Sequence, residues 1–346
     1  MVFVIFTPNT KPPDAVADTW KGKLRQLDPV GFFLLAPATI SVIFALQWGG
    51  VKFAWNDARI IALFVIAGLF GIGFICSQVF LEGGTIPGDI IKQRSVLAAL
   101  IQSLSIGTLL VVYSFYLPIY FQAIKDQSPQ GSGVSLLPLL LSTVVFVISS
   151  GIGISLVGYY TPFAIAGGIL LVVGSALLTT WQVGTSTGML IGYQIIAGAG
   201  QGLSLQQPNI AVQTCLSQQK APAGLALLSF VQTLMASILI TVCQSLLQTK
   251  LATELAPLGL DGSTIANGGA TSLRRLVPPA QLDKVLVVYN EGLRNIWYLA
   301  LGLAVLNLLA AFLYEWKSVK LEEAKTKKAE LERKEQADLG DEKAVA

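Results

Sequence analysis

The chain has 346 residues, 53% of them hydrophobic and only 12% charged, with a formal net charge of +3. Soluble domains carry roughly 25% charged residues, so this balance excludes an ordinary water-soluble domain, and so small a net charge leaves no electrostatic footprint for nucleic acid. Histidine is absent, which excludes Ser-His-Asp and Cys-His catalysis and histidine ligation; no enzyme, metal site or cofactor is expected.

The first six residues, Met1 to Phe6, are apolar and give way to a polar stretch. They lack the basic region, apolar core and cleavage site of a signal peptide. They read as the last turn of a preceding span, so residues 1–28 are expected to be a span remnant followed by a cytoplasmic linker. Spans of about 20 residues are then expected at Pro29–Trp48, Arg59–Phe80, Ser95–Ile124, Gly133–Leu156, Pro162–Trp181, Gly188–Asn209, Ala223–Leu247 and Asn295–Trp316. Gln127 to Gln219 contains no Asp, Glu, Lys or Arg, and after Lys220 the chain is uncharged again to Thr249. Such faces must meet lipid. The sequence therefore predicts an all-α polytopic membrane protein with about eight transmembrane helices.

Basic residues fix the expected orientation. Lys11, Lys21, Lys23, Arg25, Lys92, Arg94, Lys220 and the tail lysines fall on one side, taken as cytoplasmic together with both termini. A long outer loop is expected over 248–293. Within it Leu282, Val285, Leu286, Tyr289 and Leu293 have the spacing of an interfacial amphipathic helix. The charged tail, 317–346, carries Glu323/Lys327 and Glu330/Lys334 at helical i,i+4 spacing, which predicts an exposed helix continuing from the last span. Cys76, Cys215 and Cys243 show no metal-ligand spacing and read as small apolar packers.

With no charge in the core spans, amides and tyrosines carry the information. Gln102, Tyr113 and Tyr116 lie in the third span, Gln194 and Gln201 in the sixth, and Gln232 and Gln244 in the seventh. An amide in hydrocarbon needs a partner or a water-filled cavity. The set either lines a cavity between the third, sixth and seventh spans or joins helices by hydrogen bonds. The first, fifth and eighth spans are nearly free of such groups and are expected to face lipid. Gly198, Gly200 and Gly202 are not a nucleotide loop, since neither a strand before them nor a Lys-Ser/Thr pair after them is present. They are expected to permit close helix packing or bending, as are Pro118 and Pro138.

Some stretches resemble a known family. Leu117-Pro118-Ile119-Tyr120-Phe121-Gln122, then Ser128-Pro129-Gln130-Gly131-Ser132-Gly133-Val134 and Leu136-Leu137-Pro138, resemble the fourteen-span drug:proton antiporter branch of the major facilitator superfamily, and within it the fungal toxin and multidrug efflux pumps. Leu46-Gln47-Trp48-Gly49-Gly50 with Trp55, Gly198 to Pro208, Gly224 with Phe230 and Gln232, and Gly269-Ala270-Thr271 are further points of likeness. The resemblance implies two linker spans (29–94) and the C-terminal six-span bundle (95–316), with the N-terminal bundle absent. It also implies a cavity lined by the third, fourth, sixth and seventh spans. Gln102, Tyr113, Tyr116, Gln194, Gln201 and Gln232 are the expected substrate contacts, the bilayer and a small apolar or amphipathic molecule the expected partners, and protons act through the absent bundle. The implied location is the plasma membrane, with a vacuolar or vesicular membrane as the alternative. A competing expectation is a truncated, non-transporting or regulatory membrane protein.

Overall fold

A computed structural model describes residues 28–50, 52–80, 92–218, 220–260 and 273–322, with isolated positions 262, 265 and 324. The span remnant, the cytoplasmic linker, Gly269-Ala270-Thr271 and the charge pairs of the tail lie outside them. The described chain is helical throughout. Two isolated bridges, Gly49 with Phe53 and Tyr159 with Ser318, are its extended pairings.

Helix α1, Pro29–Trp48, begins at an Asp28 cap whose carboxylate accepts from the Gly31 N–H at 2.8 Å. Its other oxygen accepts from Gln78 Nε2 at 2.6 Å, joining the start of α1 to the end of α2, Ala58–Phe80. The two form an antiparallel hairpin that reaches the bundle chiefly along α9. Helix α3, Arg94–Ala123, is the most enclosed, with 67% of its apolar window buried.

Pro118 lies inside α3, whereas Pro138 falls in the first turn of α5, where a missing N–H costs nothing. The fourth span is accordingly two pieces, α4 (Pro129–Ser135, capped by Ser128) and α5 (Leu137–Val157), broken at Leu136. The fifth span is α6, Thr161–Thr179. The sixth runs as α7, Thr187–Leu205, and bends at Gln206 into α8, Gln207–Cys215, whose first turn holds Pro208.

Helix α9 extends from Ala221 to Leu255, well past the expected Leu247, because no breaker follows until Ala256-Pro257. After the short α10, Leu273–Leu276, the expected interfacial helix and the expected last span prove to be one continuous helix, α11, Leu282–Phe312. A buried row from Val285 through Leu286, Tyr289, Leu293, Ile296, Trp297 and Ala300 runs unbroken along it, so nothing separates an interfacial part from a spanning part. The expected long loop shrinks to roughly 256–281. The expected helical continuation into the tail is interrupted and resumes at 319–322. The helix stops at Phe312, and Leu313 to Trp316 turn back.

Seven described helical segments are long and apolar enough to cross a membrane. Helix α7 is of spanning length but more polar, because Gln194, Gln201 and five glycines dilute its aliphatic side chains. Neighbours follow one another in the order α5, α7, α6, α11, α3, α9, α1, α2, with α8 against α3. Small residues set the closest approach: a Cβ at Gly174 would collide with the Ala197 backbone, and one at Gly200 with the Leu170–Leu171 backbone. Close backbone approach is how helices associate where lipid removes the hydrophobic drive.

Candidate functional site

Three features lie along the bundle: a closed end built on Tyr314, a closed end built on aromatic rings, and an open polar face on α9.

At the first end the chain after α11 folds back as a strap. Tyr314 donates to Gln102 Oε1 at 2.5 Å. The Glu315 N–H donates to Ser95 Oγ at 3.1 Å, and its carbonyl accepts from Tyr160 and Thr161 at 3.3 and 3.4 Å. Val319 N donates to Gly158 O and Lys320 Nζ to Leu156 O, both at 2.8 Å. Gly158 sits at φ +83, a left-handed position that favours glycine, and this turns α5 into α6 beneath the strap. The Lys317 ammonium, 2.9 Å away, holds the Glu315 carboxyl below the usual carboxylate range.

At the opposite end Trp181, in the turn after α6, packs at a tilt against Tyr120 with centroids 4.7 Å apart and meets Trp297 edge-on at 6.3 Å. Tyr120 donates to Gln182 O at 2.9 Å and Asn290 Nδ2 to Trp181 O at 3.1 Å. Lys125 donates to the carbonyls of Val183 and Thr185 at 2.8 and 2.7 Å, and burial pushes its ammonium pKa down. The fifth and eighth spans are expected to face lipid, but here they turn Trp181 and Trp297 inward, and both rings are enclosed.

The six expected contact residues do not share one void. Gln102 is bound to Tyr314, and Tyr113 exchanges a 2.7 Å hydrogen bond with Ser175 across α3 and α6. Tyr116 is buried near Cys243 and Tyr289. Gln194 donates to its own helix at Leu190 O, and Gln201 is enclosed with neither amide atom hydrogen-bonded. Gln232 is half-buried and lies over Gly107, where a Cβ would strike it. Both glutamines of α7 are therefore inside helix packing, and only Gln232 borders open space.

Apart from Gln244, the open face consists of residues that hydropathy alone gives little weight. Ser229, Thr233, Ser237 and Gln244 are all exposed and follow one stripe of α9 at spacings of four, four and seven. Ser114 and Phe115 of the neighbouring α3 are exposed as well. Ser237 donates back to Thr233 O at 2.8 Å, a local bond that makes such residues look innocuous in a sequence. By contrast, the exposed residues of α5 are mainly Leu, Val and Ile, which suits acyl chains. A polar stripe on a spanning helix belongs against water or protein rather than lipid.

An enclosed row of apolar helices with one polar open face defines a multi-pass integral membrane protein. No family model matches the chain. Over 308 residues it is 42% identical to the MFS-type efflux pump MFS1 of Arthroderma benhamiae, covering 87% of this chain and 57% of that protein. It is 38% identical over 322 residues to the MFS-type transporter VdtG of Byssochlamys spectabilis (92% and 58%) and 40% identical over 301 residues to the efflux pump aflT of Aspergillus parasiticus (86% and 59%). These relatives, fungal MFS-type efflux pumps and transporters, place the chain in the major facilitator superfamily. The chain spans less than two thirds of the length of the curated relatives it matches.

Proposed function

We propose that this chain is part of an efflux transporter that moves small apolar or amphipathic molecules, of the fungal secondary-metabolite or toxin class, by alternating access across the plasma membrane. The observation that carries the reading is the exposed Ser229–Thr233–Ser237–Gln244 stripe beside Gln232. It offers hydroxyl and amide groups without fixed charge, and the neighbouring α3 exposes Phe115, which suits an uncharged or weakly polar cargo. The named activity of the similar pumps supports it. Proton coupling is assigned to a part of the protein outside these residues, since 127–219 and 221–249 hold no titratable carboxylate.

In this conformation Gln102, Tyr113, Gln194 and Gln201 act as closing and packing groups, while Gln232 is the contact residue of the expected set that borders the open face. Tyr116 of α3 becomes a contact only if α9 moves its Cys243 away from it. The test is export in a yeast strain stripped of its own multidrug exporters, with the full-length protein carrying Thr233→Val, Ser237→Ala and Gln232→Ala singly and together. The expected result is a changed order of preference among toxic cargoes at equal membrane abundance. An unchanged export profile in the combined variant removes the stripe from the site. Failure of the unmodified protein to export any cargo instead favours a non-transporting, regulatory role.

A further inference from the structure

The strap that follows α11 has two unlike sides. On its inner side Tyr314 is buried, Val319 packs against the core, and hydrogen bonds from Tyr314, Glu315, Val319 and Lys320 hold it to the bundle. On its outer side Trp316 is 66% exposed and Leu321 61%. Beside them the last turn of α5 exposes Leu156 and Val157. The strap is thus fixed in place and still leaves its largest apolar side chains uncovered.

What meets these side chains follows from the surface they continue. Val305, Leu309 and Phe312 of α11 are exposed at spacings of four and three, which makes one stripe. The other sides of α11 pack on α6, α3 and α9. From Gly302 to Leu313 every exposed residue of this helix is apolar, unlike the open stripe of α9, so the stripe is a lipid face and it runs into the strap. The backbone sets the depth. Residues 313–318 are not helical, and irregular backbone is not tolerated against hydrocarbon. The strap therefore lies at headgroup level, where an indole and the long stem of a lysine are both favoured. Lys320 lays its stem over Gly158, with Cδ 3.3 Å from where a Cβ would stand, and donates to Leu156 O at the end of α5. Around the strap Arg94, Lys317 and Lys320 meet Glu315 and Glu322. That near balance of charge leaves the contact to the apolar side chains.

We propose that the strap is an interfacial anchor, with Trp316 and Leu321 inserted at the boundary between lipid headgroups and acyl chains. Their partner is the phospholipid of the leaflet at that end of the bundle. Trp316 places its ring among the upper acyl carbons and its indole N–H toward the headgroups. The Lys320 ammonium gives one N–H to Leu156 O and has two left for phosphate oxygens. The inner side of the same strap carries the Tyr314–Gln102 hydrogen bond that closes this end of the bundle, so the membrane holds the closure from outside. The anchor depends on the chain spanning a bilayer and not on what the protein transports.

Photocrosslinking of the full-length protein in phosphatidylcholine nanodiscs tests the assignment, with p-benzoylphenylalanine replacing Trp316, Leu321 or, as the bundle-facing control, Val319. Phospholipid adducts, read by mass, should form at the first two positions and be several-fold scarcer at the third. Tryptophan quenching by brominated lipid gives the depth. The quenching lost in Trp316→Phe, which keeps an aromatic ring and the fold, should be larger with bromine near the carboxyl end of the acyl chain than near its methyl end. Adducts joining position 316 to another peptide of the same protein overturn the proposal and assign the outer side of the strap to a protein contact. Trp316 fluorescence quenched by aqueous iodide and untouched by either brominated lipid overturns it as well.

Discussion

Gly200 and Gly192 lie on the same helix, eight residues apart, and should respond oppositely to alanine. A β-carbon at Gly200 would sit 2.6 Å from Leu171 Cα and 2.7 Å from Leu170 C, and closer still to Leu171 N. Ordinary contact begins near 3.4 Å, and the nearest obstacle, Leu171 N, requires α6 and α7 to part by about 1.2 Å. All three obstacles are backbone atoms, which no rotamer change can remove. Overpacking of this kind costs about 1–3 kcal/mol, and the gap opened along the rest of the crossing, at Gly174 and Gly167, forfeits further dispersion contacts. The gain from replacing a helical glycine returns about 1 kcal/mol, which leaves about 2 kcal/mol of destabilisation. At Gly192 nothing lies within 4 Å, so the helix-propensity gain of about 1 kcal/mol stands alone. The two variants should differ by about 3 kcal/mol. At about 2 °C per kcal/mol for a chain of this size, that is about 6 °C in apparent melting temperature by fluorescence-detected size exclusion. Gly200→Ala melting with or above Gly192→Ala would mean that these glycines do not set the helix spacing.

Tyr314→Phe removes the hydroxyl that Gln102 Oε1 accepts and strands a buried amide whose Nε2 already has no partner. It should cost about 1–3 kcal/mol, and Tyr314→Phe with Gln102→Leu should recover most of that in the same melting assay. Lys125→Met takes a donor from the Val183 and Thr185 carbonyls, and limited proteolysis should cut the 180–186 turn sooner while leaving the strap end unchanged. The strap should also respond to acid in a defined window. Glu315, held below its ordinary value of 4.5 chiefly by Lys317, favours the folded strap above that value and loses the contribution as pH falls through its lowered pKa. Protection factors for hydrogen exchange at 314–321, corrected for the intrinsic rate at each pH, should therefore be flat from pH 7 to 5 and fall only below about 4.5; a fall beginning near pH 6 would point to another group.

The spans were legible because lipid imposes a length and a composition on them, and both can be counted along a chain. Their ends were legible only where a residue forbids continuation. Pro208 and Pro138 mark real helix starts, but nothing between Leu282 and Asn295 marks a boundary, and a helix with a continuous buried row simply runs on. The glycines Gly198, Gly200 and Gly202 were readable as contact points, although which helices they admit (α5 for the outer pair, α6 for the middle one) depends on a crossing that no local pattern encodes.

The polar groups divide along the same line. Gln102 announces that it needs a partner, yet the partner is Tyr314, 212 residues away in the strap. An amide is conspicuous in hydrocarbon because an unpaired one is costly, so amides draw attention wherever they lie, including the packed interior where most of them are found. A serine or threonine that bonds its own helix carbonyl removes that cost locally, as Ser237 does on Thr233 O, and small hydroxyl residues such as Ser229 and Thr233 leave almost no trace in a hydropathy profile. What distinguishes them is exposure, a property of the assembled bundle. Apart from Gln232 and Gln244, the open face of α9 is thus made of polar residues that the sequence conceals well, and the other conspicuous amides are mostly those that fold the molecule.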